Sequence, residues 1–314
     1  MKKFIIAMVI VLIIGVVLSI VGIAILGGAN GKYFDEVTYT EESFVGEESF
    51  NVIKLSFNSA RNLKIVEGEE YSVKYTDNSL TDITFSVKDG VLTVSESENY
   101  EIWVFNWRRN IKSTDFVITV PSAEKVSVDC TINGAINADL VERATGYGTM
   151  KFKTNGAVRF TGKFSAETLS IETNGALKIN YEGTADKVIL DTNGALEGSV
   201  NGNIGELKVE TSGALHFDGN NLTCSKFSAD VSGSAHIYLN GTGDEMDLDI
   251  SGSCTVNAEY FTLRKVDADI SGSGSLSLNV SESLSVDGSR SLTVKYRGEP
   301  NLHIDKDVKV QKLD

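Results

Sequence analysis

Between Val128 and Val294 apolar and polar residues alternate in short runs, and each run is keyed to the same three-residue phrase. The phrase reads Asn133-Gly134-Ala135, Asn155-Gly156-Ala157, Asn174-Gly175-Ala176 and Asn193-Gly194-Ala195. It continues as Ser212-Gly213-Ala214, Ser232-Gly233-Ser234, Ser251-Gly252-Ser253, Ser271-Gly272-Ser273 and Asp287-Gly288-Ser289. Successive phrases are 22, 19, 19, 19, 20, 19, 20 and 16 residues apart. Taking the Asn or Ser as position zero, apolar residues recur three and five places before it and five places after it. Examples are Phe152, Ile171 and Leu190, then Met150, Leu169 and Val188, then Phe160, Ile179 and Phe217. Mostly polar residues separate these columns, which is the period-two pattern of strands with one buried face. Each repeat therefore reads as two short strands hinged at a glycine, with positive φ expected at that Gly.

A unit this small cannot bury its apolar face alone, so neighbours must stack, and a period near 20 over so many copies marks a solenoid. The predicted fold is all-β: a single-stranded, right-handed parallel β-helix, its strands ~4.8 Å apart and its apolar columns lining the axis. An antiparallel sandwich would not repeat one phrase at a fixed period, and the six-residue period of a left-handed helix is absent.

The flanks divide the rest. Residues 1–3 carry Lys2 and Lys3, and residues 4–26 are apolar and uncharged, long enough for one transmembrane helix. The two lysines place residues 1–3 in the cytoplasm and the remainder outside. Gly27-Gly28-Ala29 offers an alternative cleavage site after a signal segment. Residues 27–49 read as an acidic linker and 50–127 as irregular first coils plus an aromatic cap. Within the latter, Lys88-Asp89-Gly90 predicts a hairpin turn. Residues 128–294 are the regular coils and 295–314 a closing coil.

The strand ending Ile118-Thr119-Val120-Pro121, the serial Asn-Gly-Ala and Ser-Gly-Ser phrases and the closing Tyr296-Arg297-Gly298-Glu299-Pro300 carry a resemblance. They are similar to a bacterial β-strand-repeat family known as putative auto-transporter adhesins, with a head GIN domain. The resemblance covers roughly residues 52–310. It implies a β-helical protein associated with the cell envelope and brings no catalytic residues with it.

Charge narrows the chemistry. All 43 acidic residues and 27 of the 29 basic ones follow residue 3, a net charge near −16 beyond the first three residues. Nucleic acid is a poor partner for such a surface, whereas cations and cationic peptides fit it. Two places before zero stand Glu172, Asp191, Glu210, Asp230, Asp249 and Asp269, which stacking would align as a ladder whose members raise one another's pKa. Asp247, Asp249, Asp267 and Asp269 would form a two-by-two patch open to loosely held calcium, an ion that prefers several oxygen ligands. His216 and His236, four places after zero in adjacent coils, could share a transition metal with Asp218. Trp103, Phe105 and Trp107 alternate to one side as a cap or a ligand patch.

Cys130, Cys224 and Cys254 occupy different columns of distant coils and read as buried thiols rather than a disulfide framework. No nucleophile elbow, Ser–His–Asp arrangement or phosphate loop is present, and every Ser-Gly belongs to the repeat. The expectation is a non-enzymatic adhesion, interaction or envelope-sensing module needing no cofactor. The competing reading is a β-helix that binds or cleaves polysaccharide, a reading that rests on fold analogy.

Overall fold

The computed structural model describes residues 38–45, 48–78, 81–98, 112–121, 125–140 and 146–313. The N-terminal portion holds β1 (Tyr39–Val45), β2 (Val52–Phe57), β3 (Arg61–Gly68), β4 (Ser72–Asn78), β5 (Thr81–Lys88), β6 (Val91–Glu98) and β7 (Thr114–Pro121). Three further short strands follow, β8 (Val126–Ile132), β9 (Ile136–Leu140) and β10 (Tyr147–Thr154). Then come β11 (Val158–Thr173), β12 (Leu177–Thr192), β13 (Leu196–Thr211) and β14 (Leu215–Val231). The series continues with β15 (Ala235–Ile250), β16 (Cys254–Ile270) and β17 (Gly274–Gly288). It closes with β18 (Leu292–Arg297), β19 (Asn301–Ile304) and β20 (Lys309–Lys312).

From β8 to β20 each strand pairs in parallel with its counterpart one coil away, giving a parallel β-solenoid of about ten turns. The anticipated apolar columns point inward: Met150, Leu169, Val188, Leu207, Phe227, Met246 and Val266 are all essentially without solvent exposure. The pair of short strands expected per repeat is instead one bent strand of 15–17 residues, because the return segment also joins the ladder. It breaks only at the Asn/Ser-Gly corner.

The corner glycines do not take the positive φ expected of them; that conformation occurs at Gly90, Gly146, Gly198, Gly202, Gly241 and Gly298 instead. Close approach is what requires glycine at the corner. A Cβ on Gly156 would lie 2.5 Å from the carbonyl oxygen of Gly134, and one on Gly175 2.5 Å from that of Gly156. Two side-chain ladders hold the stack. Asn193, Asn174, Asn155 and Asn133 each donate an amide hydrogen to the Asn one coil earlier, at 2.7, 2.7, 3.1 and 2.7 Å, the last reaching Asn58. Just inside, the buried hydroxyls of Thr154, Thr173, Thr192 and Thr211 donate to the corner glycine carbonyl of the preceding coil. They also accept from the glycine N–H two residues on, at 3.0–3.1 Å.

The ninth phrase is out of register. Asp287 lies opposite Asp269, and Leu292 opposite Gly274, so Asp287 belongs two places before the corner rather than at it. A shorter preceding return segment hides this in the spacing.

Coil order departs from chain order at the N-terminal end. The β2–β3 coil lies between β6–β7 on one side and β8–β9 on the other. Antiparallel strands then cover the outer side: β4 on β7, β5 on β6 through the Asp89-Gly90 hairpin, and β1 on β4. Residues 39–45 thus lie in a strand inside the stretch expected to be an acidic linker. Only Phe44 of that strand packs inward, against Phe85 at 5.1 Å, so no apolar alternation marks it in the sequence.

A buried ion pair locks this end. Arg61 Nη2 lies 2.8 Å from Glu96 Oε1, with neither side chain exposed. The other carboxylate oxygen of Glu96 accepts the N–H groups of Asn58 (2.9 Å) and Ser59 (3.1 Å). In the later coils the equivalent N–H bonds to a backbone carbonyl of the coil before it, as Asn174 does to Thr154 and Asn193 to Thr173. Glu96 therefore stands in for that carbonyl at the first corner. Arg61 also donates to the carbonyl of Thr76 at 3.2 Å and to the hydroxyl of Thr114, and its guanidinium lies 5.0 Å from the centre of the Phe57 ring.

The transmembrane helix expected over 4–26 and the aromatic residues Trp103, Phe105 and Trp107 lie outside the described residues. Among those described, no helix is long and apolar enough to cross a membrane.

Candidate functional site

Because coils stack in register, each outward position becomes a column running along the rod. Two places before the corner, Glu172, Asp191, Glu210, Asp230, Asp249 and Asp269 are successive cross-strand neighbours. Asp287 extends the ladder to seven rungs, a rung hidden in the sequence by the misaligned last phrase. Lysines partner two of the rungs: Lys153 reaches Glu172 and Lys208 reaches Glu210, both at 2.7 Å. Among the described residues Asp191, Asp230, Asp249, Asp269 and Asp287 form no ion pair.

Partial burial, and then the neighbouring rungs Asp249 and Glu210, push the Asp230 carboxyl above its ordinary range. Asp191 is raised in the same way, by burial first and then by Glu210 and Glu172. Like charges at strand spacing disfavour simultaneous ionisation, as the stacking anticipated, although desolvation contributes more.

Four residues further back along each strand the charges alternate instead. Lys187, Glu206, Lys226, Glu245 and Lys265 are consecutive neighbours across five coils. Lys187 and Glu206 meet at 2.9 Å, Lys265 and Glu245 at 3.5 Å. This alternating zipper is legible in the sequence as a sign change at one fixed offset. Between zipper and ladder runs a shallow trough of about 460 Å³, lined by Lys208, Ser228, Asp230, Asp247 and Asp249 among others. A second depression of about 280 Å³ continues it past Asp267 and Ser285. One wall of the trough alternates in charge and the other is acidic.

The two-by-two patch is assembled as expected: Asp247 faces Asp267 and Asp249 faces Asp269. All four are exposed, and Lys226 Nζ lies 3.6 Å from Asp247. His216 and His236 are cross-strand neighbours with ring centroids 6.3 Å apart, and Asp218 lies beside them opposite Tyr238. Among the described residues no group of three or more His, Cys, Asp or Glu side chains is arranged to hold a metal ion. A flat strand face presents such groups side by side, whereas calcium and transition metals need them to converge.

The cysteines are free and buried in separate columns. Burial pushes the Cys224 and Cys254 thiols up to about 11, and Cys130 higher still.

The sequence matches the model of the family described as putative auto-transporter adhesin, head GIN domain, over residues 49–202 and 188–300. No curated protein matches the chain. Among solved structures it is similar to a putative adhesin from Parabacteroides distasonis, at 15% identity and a TM-score of 0.38, over 88% of this chain and 97% of that one. A putative lipid binding protein from the same organism aligns at 16% identity and a TM-score of 0.39, over 89% and 97%. A putative cell adhesion protein from Clostridium sporogenes aligns at 16% identity and a TM-score of 0.30, over 68% and 100%. With more than half of its length matched by the family model, the chain belongs to the putative auto-transporter adhesin family that carries the head GIN domain.

Proposed function

We propose that the chain is a non-enzymatic, extracytoplasmic adhesion-type rod whose acidic ladder docks cationic partners. In this reading the solenoid winds right-handed, residues 4–26 tether it to the cell membrane and residues 1–3 stay in the cytoplasm. Family membership and the β-solenoid fold support an adhesion-like role. The observation that carries the partner's chemistry is the seven-rung carboxylate column, five of whose members lack an ion pair among the described residues. A row of like charges spread over several coils offers an extended cationic chain more partners than a single ion can use.

The test is a titration of the full chain in detergent micelles with oligolysine, oligoglutamate or calcium. Oligolysine should bind saturably, raise the melting temperature by mass action and lose affinity with added salt. The triple variant Asp230→Asn, Asp249→Asn, Asp269→Asn should weaken binding about tenfold, at ~0.5 kcal/mol for each exposed pair. Equal binding by the triple variant would sink the proposal.

A second reading, a neutral glycan, is favoured by Tyr260, 65% exposed at a bulge and opposite Asn240, with Tyr238 opposite Asn257 nearby. Loss of glycan binding in Tyr260→Ala, with oligolysine binding absent in the parent, would select it.

A further inference from the structure

Among the described residues, the two ends of the rod leave sheet edges without a pairing strand. Among the described residues β1 pairs only with β4, and β20 only with β18. Both edges belong to one continuous sheet, which runs β1, β4, β7, β3, β9 and then through the first half of each coil to β18 and β20. Two antiparallel steps separate β1 from β7 and every later step is parallel, so β1 and β20 run in the same direction.

Large apolar side chains are exposed at five described positions, and four of them lie on terminal strands: Tyr39 and Val45 on β1, Leu302 on β19 and Val310 on β20. Leu302 stacks on buried Leu284 and Val310 on buried Val294, so the inward columns continue beyond the last covered coil. Charge differs between the ends. β1 presents Glu41 and Glu42, while β20 presents Lys309 and Lys312, the latter also holding Glu299. Two β1 edges meeting would set glutamates against glutamates, and two β20 edges lysines against lysines, which like-charged edges resist.

We propose that copies of this chain associate head to tail, β20 of one copy adding in parallel to β1 of the next. The joint covers Val310 on β20, satisfies the edge N–H and C=O groups and brings Glu41 and Glu42 toward Lys309 and Lys312. Such a contact is heterologous, so it extends into a linear array rather than closing as a dimer. It goes beyond the docking role proposed above and does not depend on it.

Single variants Val45→Cys and Val310→Cys of the full chain, in detergent micelles, test this with a short bismaleimide. Both positions are exposed and the native thiols are buried, so melting temperatures should match the parent and the parent should stay monomeric on gels. The mixture of the two variants should give a cross-linked dimer, and the chain carrying both substitutions a ladder of multiples. Either variant alone should give none. Glu41→Lys in the Val45→Cys chain should reduce the yield at least several-fold, and Lys309→Glu in the partner should restore it. Cross-linking by one variant alone would establish an isologous contact and overturn the proposal, as would the absence of product in the mixture.

Discussion

Replacing Glu96 by Ala should open the N-terminal end of the rod while leaving distant coils intact. The substitution removes the acceptor for the Asn58 and Ser59 N–H groups and for the Ser59 hydroxyl at 2.7 Å, and it strands a guanidinium with no exposure. Breaking a buried pair on one side costs ~3–5 kcal/mol, because an uncompensated charge stays behind. The Arg61 Nε already lacks a partner among the described residues, so little local reserve exists to absorb the change. If unfolding is cooperative, a domain of this size loses ~2–4 °C per kcal/mol, a drop of about 6–20 °C.

Solenoids couple chiefly to their neighbours, so amide exchange is the sharper assay. In β2, β3, β6 and β7 the same energy accelerates exchange by about two to four orders of magnitude. Strands β14 to β16 should change little. Arg61→Met should behave similarly. The double variant should cost less than the sum of the singles, since neither charge remains to be stranded. Unchanged exchange in β2 and β3 on Glu96→Ala, or strict additivity in the cycle, would refute this account of the clasp.

Three further outcomes follow from the corners and the ladder. Thr192→Val removes a donor to the Gly175 carbonyl at 2.5 Å and an acceptor for the Gly194 N–H, and should cost ~1–2 kcal/mol by thermal or urea unfolding. The reverse change Val231→Thr, in a coil already built with an apolar residue there, should gain much less. Gly175→Ala drives a Cβ into the backbone of the coil before it, which cannot yield as a side chain can, and should destabilise by at least ~1–3 kcal/mol in the same assays. The Asp191 and Asp230 carboxyls are raised in the fold, so the folded chain holds their protons more tightly than the unfolded chain does. Stability then falls as pH rises through that window, and at neutral pH both ionised groups act against folding. Asp230→Asn should accordingly raise the melting temperature at neutral pH, with the gain vanishing below the ordinary carboxylate range.

What the sequence disclosed was whatever one coil repeats in the next. The inward columns, the Lys88-Asp89-Gly90 turn and the stacked carboxylates follow from periodicity and turn chemistry, and they stand where expected. Features set by a single long-range pairing were hidden. The β2–β3 coil sits between two later coils, an order that no local pattern encodes. Arg61 and Glu96 meet across 35 residues, and each alone reads as an ordinary strand charge. Strand β1 is recruited by backbone pairing with one inward ring, so its composition resembles a linker. The corner glycines serve close approach between coils and not positive φ, and contact between coils is invisible in a single repeat. A Thr before each of Asn155, Asn174, Asn193 and Ser212 is the legible signal for the buried hydroxyl ladder.

The central claim is that stacked coils build a docking surface rung by rung, and a rung-count series tests it most directly. Residues 174–192 form one full repeat, from one corner Asn to the residue before the next, and contain the Asp191 rung. Oligolysine affinity would be measured for the full chain, for a variant lacking these residues and for one carrying them twice. The account predicts that all three fold and that affinity rises stepwise with each rung. Equal affinity across the series would contradict the ladder as the docking surface, and loss of folding on removing one repeat would contradict the interchangeable coils beneath it.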